Sequence, residues 1–231
     1  MLESIDCLTN DSIGKIENLS WMPWIGKNYS KSNPKLMIVG ESHYKWENED
    51  GPEAIEGYLK SPEFTKDVLK AHVENRDEKK IFENIEKTLL QEAETSGSRQ
   101  SLWDSVVFYN FIQRYMENKT IRPVSEDFVV GWKVFFDVLQ LTRPKYCLFC
   151  GVESSNEYGA FKAAIGNGEF QVVEEKRNEA QIGNTSPRII EIEDKDKNRI
   201  KLIFIRHPSS YFSWEEWGKF ISSQIVEGVG F

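Results

Sequence analysis

Two short apolar runs, each ending in glycine, limit the folds that this chain of 231 residues can adopt. One extends from Lys35 to Gly40, and the other from Tyr146 to Gly151. Such runs are typical of strands buried on both faces, because a strand with one wet face alternates apolar and polar residues. Strands buried in this way belong to parallel sheets with helices on both sides. The two runs therefore predict an α/β fold.

Helical patterns follow the first run, as an α/β fold requires. Ser61 and Pro62 indicate a helix start, with serine as the N-cap and proline at the first helical position. Ile81, Ile85 and Leu89 recur at four-residue spacing, which predicts a second amphipathic helix. We expect both helices to cover the sheet.

Strands and helices continue to alternate along the chain. Val106 to Asn110 predicts another core strand, although a helix over residues 101–116 remains an alternative. Arg188 to Glu193 and Arg199 to Ile205 flank a polar turn and predict a C-terminal β-hairpin. Two more helices are predicted, one capped by Ser125-Glu126-Asp127, with a stripe of Phe128, Trp132, Phe135 and Leu139 and a stop at Pro144, the other containing Tyr158, Phe161 and Ile165. We expect one domain over residues 1–231, a three-layer α/β/α fold with a short, mainly parallel central sheet.

The charge and composition exclude several classes of protein. Acidic residues outnumber basic ones by 37 to 29, which gives a net charge of -8, and 39% of the residues are apolar. This content supports a packed core, while no apolar run approaches the roughly 20 residues of a membrane-spanning helix. With three cysteines and no secretory signal, we expect a soluble, cytoplasmic protein, monomeric and without membrane contact. The acidic balance also argues against nucleic acid, since phosphate-binding proteins usually have a basic surface.

Polar residues stand at the carboxyl ends of the predicted strands, where doubly wound sheets bind their ligands. They are Gly40-Glu41-Ser42-His43-Tyr44, Asn110, Gly151 and His207-Pro208-Ser209-Ser210. Two of the three histidines fall in this set. The third, His72, lies in a charged predicted helix, and we expect it at the solvated surface.

The order of these motifs resembles that of the uracil-DNA glycosylase superfamily, over about residues 35 to 217. The first motif is similar to Gly-Gln-Asp-Pro-Tyr of the best-known branch and to Gly-Glu-Ala-Pro-Gly of the iron–sulfur branch. The last one matches the family's His-Pro-Ser. Between these two motifs, three segments of this chain resemble segments of the family: the strand ending in Asn110, Arg122-Pro123-Val124-Ser125-Glu126, and Leu141 to Gly151.

The resemblance implies an N-glycosidase that removes uracil or another deaminated or damaged base from single- or double-stranded DNA, as in base-excision repair, without a cofactor. His207 would hydrogen-bond the departing base anion, Asn110 would read the base edge, and Glu41 would act as general base or stabilise the sugar cation. Tyr44, Trp46 or Tyr58 would offer the base an aromatic face. Substrate-binding roles are expected for Gly40, Ser42, His43, Tyr44, Trp46, Gly151, Pro208, Ser209 and Ser210.

Three departures make this chain a divergent member of the resembled family. Ser42 replaces the water-activating aspartate of the best-known branch, and His43 replaces proline. An iron–sulfur cluster needs about four thiolates, and the chain has three cysteines. Cys147 and Cys150 are three residues apart on a strand and point to opposite faces. We therefore expect both to be small core residues and not to form a metal site. The loop after His207 corresponds to the family's DNA wedge, although Tyr211 and Phe212 could instead pack beside Trp214 and Trp217.

Two other functions remain open. Gly40-Glu41-Ser42-His43 is similar to the Gly-Glu-x-His of metal-dependent hydrolases, in which glutamate and histidine hold a metal that activates water. A noncatalytic module that binds a nucleotide, nucleic acid or protein is favoured by Ser42, which replaces the water-activating aspartate, and by the acidic charge. Glu47, Glu49, Asp50 and Glu53, just after the first site loop, would repel phosphate. DNA binding by an acidic protein requires a local basic strip, which we expect near the site from Lys27, Lys31, Arg114, Lys119, Arg122, Lys145 and Arg206.

Overall fold

The structure is a computed structural model, and it describes residues 10–45, 52–91, 96–118, 120–151, 157–166, 168–177, 181–209 and 211–225. A short 3-10 helix, Tyr29–Lys31, follows the first strand. In chain order, the helices and strands are α1 (Asn10–Ile13), β1 (Trp24–Ile25), β2 (Leu36–Gly40), α2 (Pro52–Lys60), α3 (Phe64–Val73), α4 (Lys80–Leu90), α5 (Ser96–Ser105), β3 (Val106–Asn110), α6 (Ser125–Thr142), β4 (Tyr146–Cys150), α7 (Glu157–Ile165), β5 (Phe170–Arg177), β6 (Arg188–Asp194), β7 (Arg199–Ile205) and α8 (Trp214–Gln224).

The described strands form one sheet in the order β1-β3-β2-β4-β7-β6-β5. The central strands β3, β2, β4 and β7 are parallel, whereas β1, β6 and β5 pair antiparallel with their neighbours. The predicted α/β class is confirmed, and so is the hairpin, as β6 and β7. The expectation of a mainly parallel sheet holds for the central strands only, because antiparallel strands flank them on both sides.

Helices cover both faces of the sheet. On one face, α6 and α7 pack onto strand residues that include Met37 and Val39; on the other, α3, α4, α5 and α8 pack onto residues that include Leu36 and Ile38. All residues of β2, β3 and β4 are buried, which explains their uninterrupted apolar sequences. Cys147 and Cys150 are buried on opposite faces, as predicted, and Cys7 lies outside the described residues.

Three local predictions are corrected or completed by the structure. The helix expected from Ser61 and Pro62 begins two residues later, because the Ser61 hydroxyl accepts the Glu63 N–H and its carbonyl accepts the Phe64 N–H in a preceding turn. The alternative helix over residues 101–116 is wrong, since α5 ends at Ser105 and β3 follows directly. The sequence patterns did not predict the strand β5 or the helix α8.

No helix in the described ranges combines the length and apolar character needed to cross a membrane.

His72 is buried, and the prediction of a solvated side chain was wrong. Its Nδ1 accepts the Lys79 N–H at 3.1 Å, so Nε2 carries the hydrogen and donates to Glu86, 2.8 Å away. Trp103 Nε1 and Arg99 Nε also donate to the Glu86 carboxylate, at 2.6 and 3.1 Å. Burial alone would raise the pKa of Glu86, but the hydrogen bonds from His72 and Trp103 and the charge of Arg99 lower it overall.

Glu86→Gln should therefore destabilise the protein by about 3 kcal/mol, because the amide cannot satisfy three buried donors or balance Arg99. The measurement is urea unfolding at pH 7 and at lower pH. Since the pKa of Glu86 is lowered in the folded state, its ionised carboxylate stabilises the protein at pH values above the ordinary pKa of 4.5. The loss of unfolding free energy in Glu86→Gln should therefore shrink as the pH falls below that value. The control Glu83→Gln on the same helix should change the free energy of unfolding by less than about 0.5 kcal/mol. Equal effects of the two variants would contradict the prediction.

Candidate functional site

The parallel strands β2, β3, β4 and β7 end together at one edge of the sheet, which we name the carboxyl edge. Gly40 pairs with Asn110 across β2 and β3, and Cys150 pairs with Ile205 across β4 and β7. The pairing continues past the strands, because the Gly40 and Glu41 carbonyls each accept a backbone N–H from the segment after Asn110, both at 2.9 Å. The loops that carry the predicted site residues are thus adjacent.

Asn110 lies against the backbone of Gly40. A Cβ atom on Gly40 would stand 2.3 Å from Asn110 Oδ1, so glycine is required here for the close approach. Asn110 is buried, and its carboxamide makes no hydrogen bond to any other residue within the described ranges. Its carbonyl accepts Nε2 of the buried Gln113 at 2.6 Å, which fixes the backbone. The side chain therefore offers a positioned donor and acceptor to a ligand.

Glu41 is held beside this amide by a tyrosine and an arginine. Tyr44 Oη donates to Glu41 Oε2 at 3.0 Å, and Arg122 Nη1 lies 3.8 Å from the same oxygen. Burial, together with the charge and hydrogen bond of Glu41, raises the pKa of Tyr44 to about 12 and outweighs Arg122. Tyr44 is therefore protonated at neutral pH and acts as a donor, which orients the carboxylate.

His207 packs onto Gly151, the glycine that ends the second apolar run. A Cβ atom on Gly151 would lie 2.7 Å from both Cβ and Cδ2 of His207, and the φ of Gly151 is +87°. Burial lowers the pKa of His207; the charge of Glu41 opposes this shift and that of Arg122 adds to it. The imidazole is therefore neutral near pH 7, with one N–H to donate. The next two carbonyls, of Pro208 and Ser209, accept Asn84 Nδ2 at 3.3 Å.

Ser42 and His43 hold the loop rather than face these groups. Ser42 Oγ donates to the Arg114 carbonyl at 3.0 Å. His43 Nε2 lies 2.8 Å from Thr65 Oγ1, and its ring makes edge contacts with Trp21 and Phe64, with centroids 4.8 and 4.5 Å apart. Burial lowers the pKa of His43 to about 3, so its ring is neutral. Within the described ranges, no group of three or more His, Cys, Asp and Glu side chains could hold a metal ion.

The remaining predicted residues fall into several environments. Trp46 and Ser210 lie outside the described residues, as do Glu47, Glu49 and Asp50. Pro208 is buried and Ser209 is exposed. Of the two wedge candidates, Phe212 stacks on Trp217 with ring centroids 6.1 Å apart, whereas Tyr211 is 94% exposed with a φ of +58°. The alternative of core packing thus holds for Phe212 and is wrong for Tyr211.

The predicted basic strip is divided between two opposite edges of the sheet. Because β1 runs antiparallel to β3, the chain that leaves Ile25 emerges at the amino end of β3 and carries Lys27 and Lys31 there. Lys145 directly precedes β4 and lies at this amino edge as well. The expectation that these three lysines stand near the site was wrong. Arg114, Arg122 and Arg206 do follow the carboxyl ends of strands, and Lys119 lies outside the described residues.

Two residues of the site had no predicted role, and a third, Arg122, was predicted only as part of the basic strip. Arg122 belongs to a quoted motif, but only the structure places its charge beside Glu41 and His207. Gln113 follows Asn110 by three residues, and no sequence pattern indicated its role in the site. Asn84 lies on α4, more than a hundred residues from the loop that it holds. A polar residue inside the apolar stripe of α4 is the one sequence signal for it.

Opposite effects of Glu41 and Arg122 on His207 provide a test of this geometry. Arg122→Ala removes a positive neighbour and should raise the pKa of His207, whereas Glu41→Gln removes a negative one and should lower it further. An NMR titration of the histidine ring protons measures both shifts, with His43 as the internal control. Shifts in the same direction, or a wild-type pKa of His207 above 6.5, would contradict the geometry.

Comparisons with known proteins give this chain no family assignment. No protein family model matches it, and a search of curated proteins finds no significant match. The resemblance to the uracil-DNA glycosylase superfamily therefore rests on the chain's own motifs, and its function is inferred from the chemistry of the carboxyl edge.

Proposed function

We propose that the protein is a glycosylase-type hydrolase that cleaves the N-glycosidic bond of uracil or another deaminated or damaged base in DNA. The observation that carries this proposal is that Asn110, Glu41 and His207 stand at the same carboxyl edge, each held in place by its neighbours, with Glu41 close enough to act on the charge of His207. The reaction needs a reader of the base edge, a donor to the departing base and a carboxylate near the sugar. These three side chains offer those groups.

Asn110 and His207 act on the base. Moving a base out of the DNA stack costs a few kcal/mol of free energy, and hydrogen bonds to the edge of the base help to offset this cost. The carboxamide of Asn110, which no described residue engages in a hydrogen bond, supplies a donor and an acceptor for that edge. The neutral imidazole of His207 donates to a base oxygen, and this bond strengthens as the departing base becomes anionic. Removal of one such donor typically costs a factor of about 100 to 1,000 in rate.

Glu41 acts on the sugar side of the bond. Tyr44 and Arg122 fix its carboxylate, so it stabilises the sugar cation or accepts a proton from the attacking water. Ser42 cannot take the role of the missing aspartate, because it has no carboxylate and its hydroxyl donates to the Arg114 carbonyl. The general base is therefore assigned to Glu41.

Two features support DNA as the substrate. Tyr211 projects into solvent from the loop after His207, with a left-handed φ that costs a non-glycine residue of order 1 kcal/mol. An exposed aromatic side chain at this position is suited to enter the space that a displaced base leaves. Arg122 and Arg206 stand at the same edge for contact with phosphates.

The noncatalytic module is the second candidate, and Ser42 is the observation that favours it. With Ser42 bound to a backbone carbonyl, the site has a base-reading amide but no carboxylate at the position of the water-activating aspartate of the best-known branch. The metal-dependent hydrolase is less favoured, because the His43 imidazole contacts Thr65 and two aromatic rings instead of sharing an open site with Glu41.

Base removal is tested with single- and double-stranded oligonucleotides that contain uracil, hypoxanthine or xanthine, followed by alkali to cleave abasic sites. Asn110→Ala and His207→Ala should each lower the rate about 100-fold or more. Asn28→Ala, a surface change at the amino edge, should leave it unchanged. If the wild type cleaved none of these substrates, the glycosylase proposal would be wrong and the noncatalytic module would be the remaining candidate. Wild-type rates for both site variants would show that the site residues are wrongly assigned.

Gly40→Ala tests the position of the Asn110 amide without removing any polar group. The new methyl group would stand 2.3 Å from Asn110 Oδ1 and must displace it, so the rate should fall at least 10-fold while the melting temperature changes little. Gly57→Ala is the matched control, because nothing lies within 4 Å of its added Cβ. A wild-type rate for Gly40→Ala would place the base-reading group elsewhere.

A further inference from the structure

We propose that the amino edge of the sheet is a second nucleic-acid binding surface, formed by Lys31, Lys35, Arg143 and Lys145, which contacts the phosphate backbone. We name these four residues the amino-edge surface. They lie at the opposite end of the parallel strands from Asn110 and His207. The proposal does not rest on base removal, because backbone binding requires no chemistry at the carboxyl edge.

Backbone and ring contacts place the four residues on adjacent segments of the chain. The Lys35 carbonyl accepts the backbone N–H of Lys145 at 2.9 Å, so these two residues are neighbours. Lys35 Nζ lies over the ring of Tyr29, 5.4 Å from its centroid. The Tyr29 hydroxyl donates to the carbonyl of Thr142 at 3.1 Å, the residue before Arg143. Lys31 ends the 3-10 helix that carries Tyr29.

Within the described ranges, three of the four cations of this surface have no acidic partner. Lys31, Lys35 and Arg143 form no ion pair with any acidic residue in the described ranges. The nearby acid Asp104 pairs with Lys27 at 2.8 Å, and Glu191 pairs with Lys201 at 3.5 Å. Burial and the charge of Arg143 lower the pKa of Lys35, as expected for like charges held close together. An anion bound here would relieve that repulsion.

The chemistry of the surface favours phosphate backbones over membranes. Duplex DNA carries one charge per about 1.7 Å of its axis, so several clustered cations each meet a phosphate. Membrane surfaces usually also receive exposed apolar or aromatic side chains. In the described part of the chain, the exposed large apolar residues lie on other segments: Tyr58 on α2, Ile121 and Val124 before α6, Val172 and Val173 on β5, and Tyr211 before α8.

The two edges are far enough apart to hold different segments of nucleic acid. The strands between them have five residues each in β2, β3 and β4, which corresponds to roughly 17 Å at about 3.3 Å per residue. Acidic residues Glu17, Asp137 and Glu169 line a cleft between α6, α7 and β5 and limit the basic area on that side. The protein would thus contact a second segment while the carboxyl edge holds the first.

The test uses the full chain and labelled 20-nucleotide DNA with undamaged bases, single-stranded and duplex, followed by fluorescence anisotropy at several salt concentrations. Wild type should bind with a salt-dependent affinity typical of backbone contacts, roughly 1–100 μM near physiological salt. Lys31→Glu/Arg143→Glu should weaken binding at least 10-fold and reduce the slope of log K against log salt by about two. Lys80→Glu/Lys219→Glu is the control, since it changes the net charge equally at exposed helix positions and should bind like wild type.

The neutral variant Lys31→Gln/Arg143→Asn checks for folding effects, because asparagine tolerates the left-handed φ of 48° at position 143. It should also weaken binding, with an unchanged melting temperature. Wild-type affinity in both amino-edge variants, equal loss in the control, or preference for anionic phospholipid vesicles or an acidic peptide would overturn the proposal. His207→Ala should retain binding to undamaged DNA, so failure of the glycosylase proposal and failure of this one are distinguishable.

Discussion

Burial of the central strands on both faces is the constraint on which the rest of the structure depends. Since β2, β3 and β4 have no solvated face, the polar side chains of the site stand at or beyond the strand ends, and strand direction decides at which edge. Asn110 and His207 stand at the same edge because their strands run in the same direction. The amino-edge cations gather at the other end for the same reason. Position along a strand thus separates the two surfaces.

The sequence predicted the central strands, several covering helices and the C-terminal hairpin because each has a local pattern. Tight turns and mostly exposed elements were less predictable: seven of the eight residues of β5 are exposed, so it has no apolar alternation. His72 was misjudged because charged neighbours on α3 concealed a buried partner, Glu86, on another helix. Such pairing depends on tertiary packing, which one sequence does not reveal.

The candidate site was predictable in outline for a similar reason. Asn110, Glu41 and His207 follow strand ends, and parallel strands bring their ends together. Sequence reasoning could not tell that His43 turns toward Trp21 and Phe64, because neighbouring loop residues point in different directions. It also grouped Lys27 and Lys31 with the site, since the antiparallel direction of β1 has no sequence signal in a strand of two residues. Lys145 was misplaced although it directly precedes the predicted strand from Tyr146, which puts it at the amino edge.

Gly40 and Gly151 end the apolar runs, and each makes room for a polar side chain that the chain supplies much later. Both glycines make this room because they have no Cβ atom. In a divergent relative, a larger residue at either position would displace the polar side chain that packs there, even if Asn110 and His207 were retained. These two glycines are therefore better markers than the polar residues for distinguishing relatives with a working site from those that keep only the fold.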